Sequence, residues 1–217
     1  MIDSPHWNDE NLLFLMQLYL EEPVGLKPLY SRSLVNLSLD LHIEPQLILK
    51  KMQEIEESKD KTPSLKFLWD TYSDDKEKLD EAVRKIRKMR GFGKPEKFYK
   101  NVKTVSSFES MFLPIDGYKN IIPVMLIMVL KVYPTILPTA MEVTTPEIVD
   151  LSKLLGIKPK SVLKIMTTFL QCDPIMNRKK DEDDALYKAC LEVWREYAND
   201  TPDKLRKKVE ELKDYFE

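Results

Sequence analysis

Glycine, cysteine and histidine are scarce in this chain. Its 217 residues include five glycines, two cysteines and two histidines. So few glycines, together with few alternating apolar and polar runs, disfavour a β-sheet protein and predict an all-α fold. The two histidines, His6 and His42, are far apart in sequence and lie outside any metal-ligand spacing. We therefore expect no metal site, no cofactor and no enzymatic activity.

Two further absences concern the compartment. Cys172 and Cys190 form no CxxC motif, which favours reduced thiols in a cytoplasmic protein. The longest apolar run, residues 121–133, holds 13 residues including a lysine and is too short to cross a bilayer. The first residues show no basic region followed by an apolar stretch, so we expect no secretory signal. The sequence thus predicts a cytoplasmic protein without a membrane span.

What the chain does contain is an internal repeat. Residues 34–52 and 148–166 share nine identities in 19 ungapped positions. This similarity predicts two tandem homologous domains, residues 1–90 and 119–217, each a bundle of about five helices. The segment 91–118 between them is basic and then apolar. We expect it to connect the two domains and to pack at their seam.

The repeat extends beyond its best-matched stretch. Upstream, the same offset of 114 places Tyr19 on Tyr133. Downstream, the offset grows to 125, which places Trp69 on Trp194. An insertion of about eleven residues in the second copy accounts for this change. The duplicated unit therefore includes helices on both sides of the repeated stretch.

The repeated stretch has the spacing of a helix, a tight turn and a second helix. In the second copy Gly156 stands at the turn, where a positive φ is least costly for glycine. Ser152 stands where two closely crossing helices need a small side chain. These residues resemble the helix-turn-helix superfamily over 146–166 and, more weakly, over 32–52. The resemblance implies that the third helix of each domain could enter the DNA major groove.

The first copy departs from this pattern at two positions. His42 replaces the turn glycine, and Lys51 stands where the second copy has Ile165. A histidine at a helix end most often acts as a C-terminal cap that the helix dipole favours. We therefore assign His42 no chemistry, and the sequence leaves the geometry of the first copy's turn open.

Outward positions of the third helix carry side chains that could meet phosphates or base edges. Neither helix begins with an exposed arginine or asparagine, the residues best suited to paired base contacts. We therefore expect weak backbone binding rather than sequence reading. The candidate contacts are Lys158, Lys160, Ser161, Lys164 and Thr167 in the second copy and Gln46, Lys50, Lys51 and Gln53 in the first.

Positive charge is concentrated between residues 84 and 103, where nine residues are basic and one is acidic. Phe92, Phe98 and Tyr99 lie among these charges, as in surfaces that bind a phosphate backbone and stack on bases. The alternative is a solvated helix end followed by a linker that hinges at its two glycines. The candidate nucleic-acid contacts in this segment are Arg84, Arg87, Lys88, Arg90, Lys94 and Lys97.

Two functional hypotheses follow from these patterns. The first is a DNA-binding protein with duplicated helix-turn-helix-like domains that contact mainly phosphates. The alternative is a non-enzymatic protein-interaction module whose helical pairs are structural only. The acidic cluster at 181–184 lacks the alternating oxygen spacing of a calcium loop, and we expect it to be a solvated insertion. The position of positive charge in the folded molecule should discriminate between the hypotheses.

Overall fold

The computed structural model of the protein describes residues 7–21, 28–57, 62–93, 107–198 and 201–217. These residues form eleven α-helices and no strand, which confirms the predicted all-α class. Within the same ranges, every helix is too short or too polar to cross a lipid bilayer.

The chain forms two compact units, Met1–Ser106 and Ser107–Glu217. The boundary between them lies inside the segment 91–118 that the sequence assigns to a connection. The apolar part of that segment belongs to the second unit, where the Phe112 ring lies 5.0 Å from the Tyr215 ring between centroids. The predicted packing at a seam between domains stays a prediction.

In the first unit a central helix is surrounded by four others. This helix, α1, is apolar on nearly every side, and six of its side chains are buried. Because every face is apolar, it is covered by all the other helices of the unit. The five helices are α1 (Asp9–Glu21), α2 (Arg32–Leu41), α3 (Pro45–Glu56), α4 (Pro63–Tyr72) and α5 (Lys76–Arg87).

The second unit has the same kind of centre. Its apolar helix α7 buries seven consecutive side chains and packs against the four helices that follow it. Tyr133–Thr135 and Pro138–Ala140 form short 3₁₀ turns between α7 and the next helix. The helices are α6 (Ser107–Ser110), α7 (Pro123–Val132), α8 (Pro146–Leu155), α9 (Pro159–Cys172), α10 (Ala185–Tyr197) and α11 (Pro202–Lys213).

Proline explains where many of these helices begin. Six helices of the described ranges start with a proline, a position where the missing N–H is no loss and the fixed φ already suits a helix. At α4 the preceding Thr62 adds a side-chain cap, since its hydroxyl accepts the Leu65 N–H at 3.4 Å. These six prolines therefore mark the starts of helices.

A similar aromatic contact occurs in both units. Tyr19 and Trp69 meet edge to face with ring centroids 5.5 Å apart. Tyr133 and Trp194 meet in the same way at 5.7 Å. Each tryptophan is half-buried. The contact joins the end of the central helix to α4 in the first unit and to α10 in the second.

Candidate nucleic-acid interface

The helical pair of the second unit consists of α8 and α9. Gly156 ends α8 with a left-handed φ of 66° and ψ of 26°. The following Ile157 N–H donates to the Ser152 carbonyl oxygen at 3.1 Å and closes the helix end. Ser152 itself is buried, and its hydroxyl donates to the Val149 carbonyl oxygen at 2.7 Å. The turn therefore has the tight geometry that its sequence predicts.

The helical pair of the first unit, α2 and α3, makes the same turn without glycine. His42 occupies the C-cap position of α2 with φ 56° and ψ 36°. The Ile43 N–H donates to the Ser38 carbonyl oxygen at 3.1 Å. Ser38 is buried and donates to the Leu34 carbonyl oxygen at 2.8 Å. His42 therefore stands at the C-terminal cap of α2, as predicted, and the hydrogen bonds hold it in a conformation that usually favours glycine.

We expect Gly156→Ala to lower the free energy of unfolding by about 1–2 kcal/mol, the cost of a left-handed conformation for an L-residue. A Cβ at this position would meet no atom within 4 Å, so backbone strain is the whole effect. Gly156→Asn should cost less, since asparagine tolerates this conformation better. Urea unfolding of both variants tests this, and equal losses would contradict it.

One face of α9 carries the predicted contacts of the second unit. Lys160, Lys164 and Thr167 are exposed at a spacing that places them on the same side of the helix. Lys158 is the exposed N-cap residue, and Ser161 is half-buried one turn later. The structure therefore brings these five residues together at and after the start of α9.

Lys164, one of these lysines, lies near the carboxylate of Asp184. Asp184 lies with an oxygen 3.9 Å from the Lys164 Nζ. It also accepts the Leu186 N–H at 3.0 Å as the N-cap of α10, and the Tyr118 hydroxyl lies 3.0 Å from both of its oxygens. Burial and this carboxylate raise the pKa of Tyr118. Asp184 is thus a structural residue rather than part of a solvated insertion, and it offsets part of the charge of Lys164.

On α3 the corresponding face is less basic. Gln46, Lys50 and Gln53 are exposed, as predicted. Lys51 is wrong as a contact residue, because its side chain is only 14% exposed and pairs with Glu54 at 3.6 Å. It turns inward because its position in the helix faces the core, as the buried Ile165 does in α9.

The basic end of α5 is partly used inside the first unit. Arg87 forms an ion pair with Asp40 of α2 and lies over the Phe14 ring, 5.1 Å from its centroid. Arg87 therefore links two helices, and Asp40 offsets part of its charge, although the Arg87 side chain stays 48% exposed. Arg84, Lys88 and Arg90 remain exposed.

The structure also corrects the prediction that Phe92 could stack on bases. Its ring stacks on the Phe14 ring at 4.9 Å with an interplanar angle of 16°. A phenyl ring packed in this way belongs to the core of the first unit and is not free to stack on bases. The candidates Lys94 and Lys97, like the aromatic residues Phe98 and Tyr99, lie outside the described residues.

The sequence does not show which carboxylates pair with Arg87 and Lys164. Asp40 and Arg87 belong to different helices, as do Lys164 and Asp184. Charge pairs can be read from sequence only at helical spacings of three or four residues. Such a spacing does identify the pair of Lys85 and Glu81, whose charged atoms are 2.9 Å apart.

The thiols offer no chemistry on the surface. Cys172 and Cys190 are both free and buried. Burial raises the pKa of Cys172 to about 11 and that of Cys190 further. Because the thiolate is the reactive form, both side chains act as small core residues. Among the described residues there is no cluster of three histidine, cysteine or acidic side chains that could hold a metal ion.

The arrangement is chemically suited to neutralising anions. Lys158 and Lys160 project ammonium groups at the start of a helix, and Arg84 and Lys88 project a second set from the other unit. Exposed ammonium and guanidinium groups of this kind can pair with phosphate oxygens. Comparisons of the chain with protein-family models, with curated proteins and with solved structures gave no match.

Proposed function

We propose that this protein binds duplex DNA weakly, through contacts to the phosphate backbone. The observation that carries the proposal is the exposed pair Lys158 and Lys160 at the start of α9, the second helix of a tightly turned helical pair. In helix-turn-helix proteins this helix lies in the major groove with its first residues towards the DNA. Ammonium groups at that position would meet phosphates and supply affinity without sequence preference.

We also propose that the two units arose by duplication and form tandem homologous domains. Lys78 lies over the Tyr72 ring at 5.2 Å, and Lys204 lies over the Tyr197 ring at 5.6 Å. Lysine and tyrosine fall at matched positions of the sequence repeat. The shared helical turns, the shared tyrosine–tryptophan contact and the central apolar helix of each unit support the same proposal.

The salt dependence of duplex binding tests the function. Each neutralised phosphate releases condensed counterion, so the logarithm of affinity falls by about 0.9 per contact for each unit of the logarithm of salt concentration. We expect the double variant Lys158→Ala and Lys160→Ala to reduce this slope by up to about 1.8. Lys164→Ala should have a smaller effect than either single variant, because Asp184 already shares that charge.

A matched control removes the same charge elsewhere in the second unit. Lys188 and Lys207 are exposed on α10 and α11, so replacing both by alanine should leave the slope close to that of the wild type. A wild-type protein that shows no salt-sensitive binding to any duplex, even at low ionic strength, would contradict the proposed function.

The second candidate function is a protein-interaction module. It is favoured by Leu47, which is 42% exposed on α3 at the position where α9 has Ser161. An exposed leucine beside Glu44 suits an apolar partner surface better than a phosphate backbone. Failure of duplex binding would make this the better account. The cytoplasmic location stays a prediction, supported by the two free thiols.

A further inference from the structure

The start of α3 in the first unit lacks the two lysines found at the start of α9, although Lys50 matches Lys164 further along the helix. Glu44 is the N-cap of α3, whereas Lys158 is the N-cap of α9. Leu47 takes the position of Ser161, and Gln46 that of Lys160. A carboxylate at the start of the helix repels phosphate, so the exposed face of α3 is poorly suited to the role proposed for α9.

A cluster of basic residues in the first unit lies at the end of α5, and this end is held in place. The ion pair of Arg87 with Asp40 ties it to the last turn of α2. The stacking of Phe92 on Phe14 fixes the chain five residues later against the central helix. At Gly93 the backbone passes so close to α2 that an added Cβ would lie 3.6 Å from the Asp40 carbonyl oxygen.

The chain between these anchors is folded. After α5, the Met89 N–H donates to the Ile86 carbonyl oxygen at 2.9 Å, and the Phe92 N–H donates to the Met89 carbonyl oxygen at 3.2 Å. The segment therefore forms consecutive turns that lie beside the end of α2, where the helical pair of the first unit turns. Side chains on this segment have fixed starting points, which reduces the entropy lost on binding.

Three basic side chains of this end remain for a ligand. Residues 84–93 contain five basic residues and no acidic residue. Arg87 pairs with Asp40, and Lys85 pairs with Glu81 at 2.9 Å, while Arg84 contributes more weakly to lowering the pKa of Glu81. The remaining Arg84, Lys88 and Arg90 are exposed. Arg84 and Lys88 are one helical turn apart and share a face.

We infer that the first unit contacts the phosphate backbone of duplex DNA through Arg84, Lys88 and Arg90 at the end of α5, and not through the face of α3. The inference rests on the proposed function and names the surface that the first unit adds to it. The guanidinium group of arginine can donate two parallel hydrogen bonds to phosphate oxygens, whereas the ammonium group of lysine acts as a point charge. The two units would therefore use different helices to bind the same polyanion.

The test measures the salt dependence of duplex binding by the full chain. Arg84→Ala combined with Lys88→Ala should reduce the slope by up to about 1.8, whereas Lys50→Ala on α3 should leave it unchanged. A matched control, Lys66→Ala with Lys76→Ala, removes two exposed lysines from α4 and α5 of the same unit. All of these positions are exposed on helices, and far-ultraviolet circular dichroism should confirm that each variant is folded.

The possible outcomes distinguish a failure of the surface at the end of α5 from a failure of DNA binding as a whole. If the Arg84 and Lys88 variant behaves like its control while the Lys158 and Lys160 variant still loses slope, the inference is overturned and the function stands. A slope reduced by about 0.9 in Lys50→Ala would also overturn the inference, since that result would assign a phosphate contact to α3. Absence of salt-sensitive binding by the wild type would overturn both.

Discussion

Replacement of Phe169 by alanine should lower the free energy of unfolding of the second unit by about 3 to 5 kcal/mol. The ring is fully buried on α9 and lies 5.9 Å from the Tyr133 ring and 6.2 Å from the Trp194 ring between centroids. Truncation removes the apolar area of the ring and leaves a cavity between α7, α9 and α10. Truncation of the half-buried Trp194 should cost less than truncation of Phe169, because less of its ring is removed from water.

Trp194 also provides the measurement. Urea unfolding followed by its fluorescence, in a background of Trp7→Phe and Trp69→Phe, reports the second unit alone. The control is Leu137→Ala, since Leu137 is 72% exposed in the second unit and its loss should change stability by less than about 0.5 kcal/mol. Similar losses for Phe169→Ala and Leu137→Ala would show that burial does not determine these energies.

A second large effect is expected for Ile165→Lys. Ile165 is fully buried, and the matched position in the first unit already holds Lys51. Lys51 is stabilised by Glu54 three residues later, but the corresponding residue in α9 is Thr168, which is buried and donates to the Lys164 carbonyl oxygen at 2.9 Å. A lysine at 165 would therefore bury a charge without that carboxylate, which costs on the order of 4 kcal/mol.

The pH dependence identifies the charge as the cause. Burial would lower the pKa of the new lysine in the folded state below its unfolded value of about 10.4. Between those two pKa values the unfolded chain binds more protons, so the stability of Ile165→Lys should rise with pH up to about 10.4. Ile165→Met, which keeps the side chain apolar, should cost less than about 1.5 kcal/mol and show no such rise. A loss that is independent of pH would assign the effect to packing.

The helical elements follow closely from the sequence because they depend on neighbouring residues. Continuous apolar residues predict that α7 is buried on every side. Gly156 predicts the turn of the second pair, since a left-handed residue after a helix is a local requirement. The same reasoning left the turn of the first pair open, because His42 replaces glycine there and hydrogen bonds at the end of α2 compensate for its absence.

The candidate interface was less predictable, because the charge that a ligand meets depends on partners from other helices. The sequence treats Arg87 and Lys164 as equal to their neighbours, but Asp40 and Asp184 take up part of their charge. It also treats Phe92 as a residue able to stack on bases, although the ring stacks on Phe14. The sequence of a basic segment is the same whether its side chains face solvent or a neighbouring helix. Sequence alone therefore does not distinguish an exposed arginine, lysine or phenylalanine from one that packs inside the unit.

Helix positions, tight turns and the internal repeat are thus properties of the sequence alone, because backbone preferences and apolar periodicity act over a few residues. The choice of the basic residues that remain exposed belongs to the tertiary structure. It depends on how α5 packs against α2 and how α10 packs against α9, since a carboxylate brought within about 4 Å of a cation offsets much of its charge. Lys158, Lys160, Arg84, Lys88 and Arg90 remain exposed because the packing of their helices directs them towards solvent.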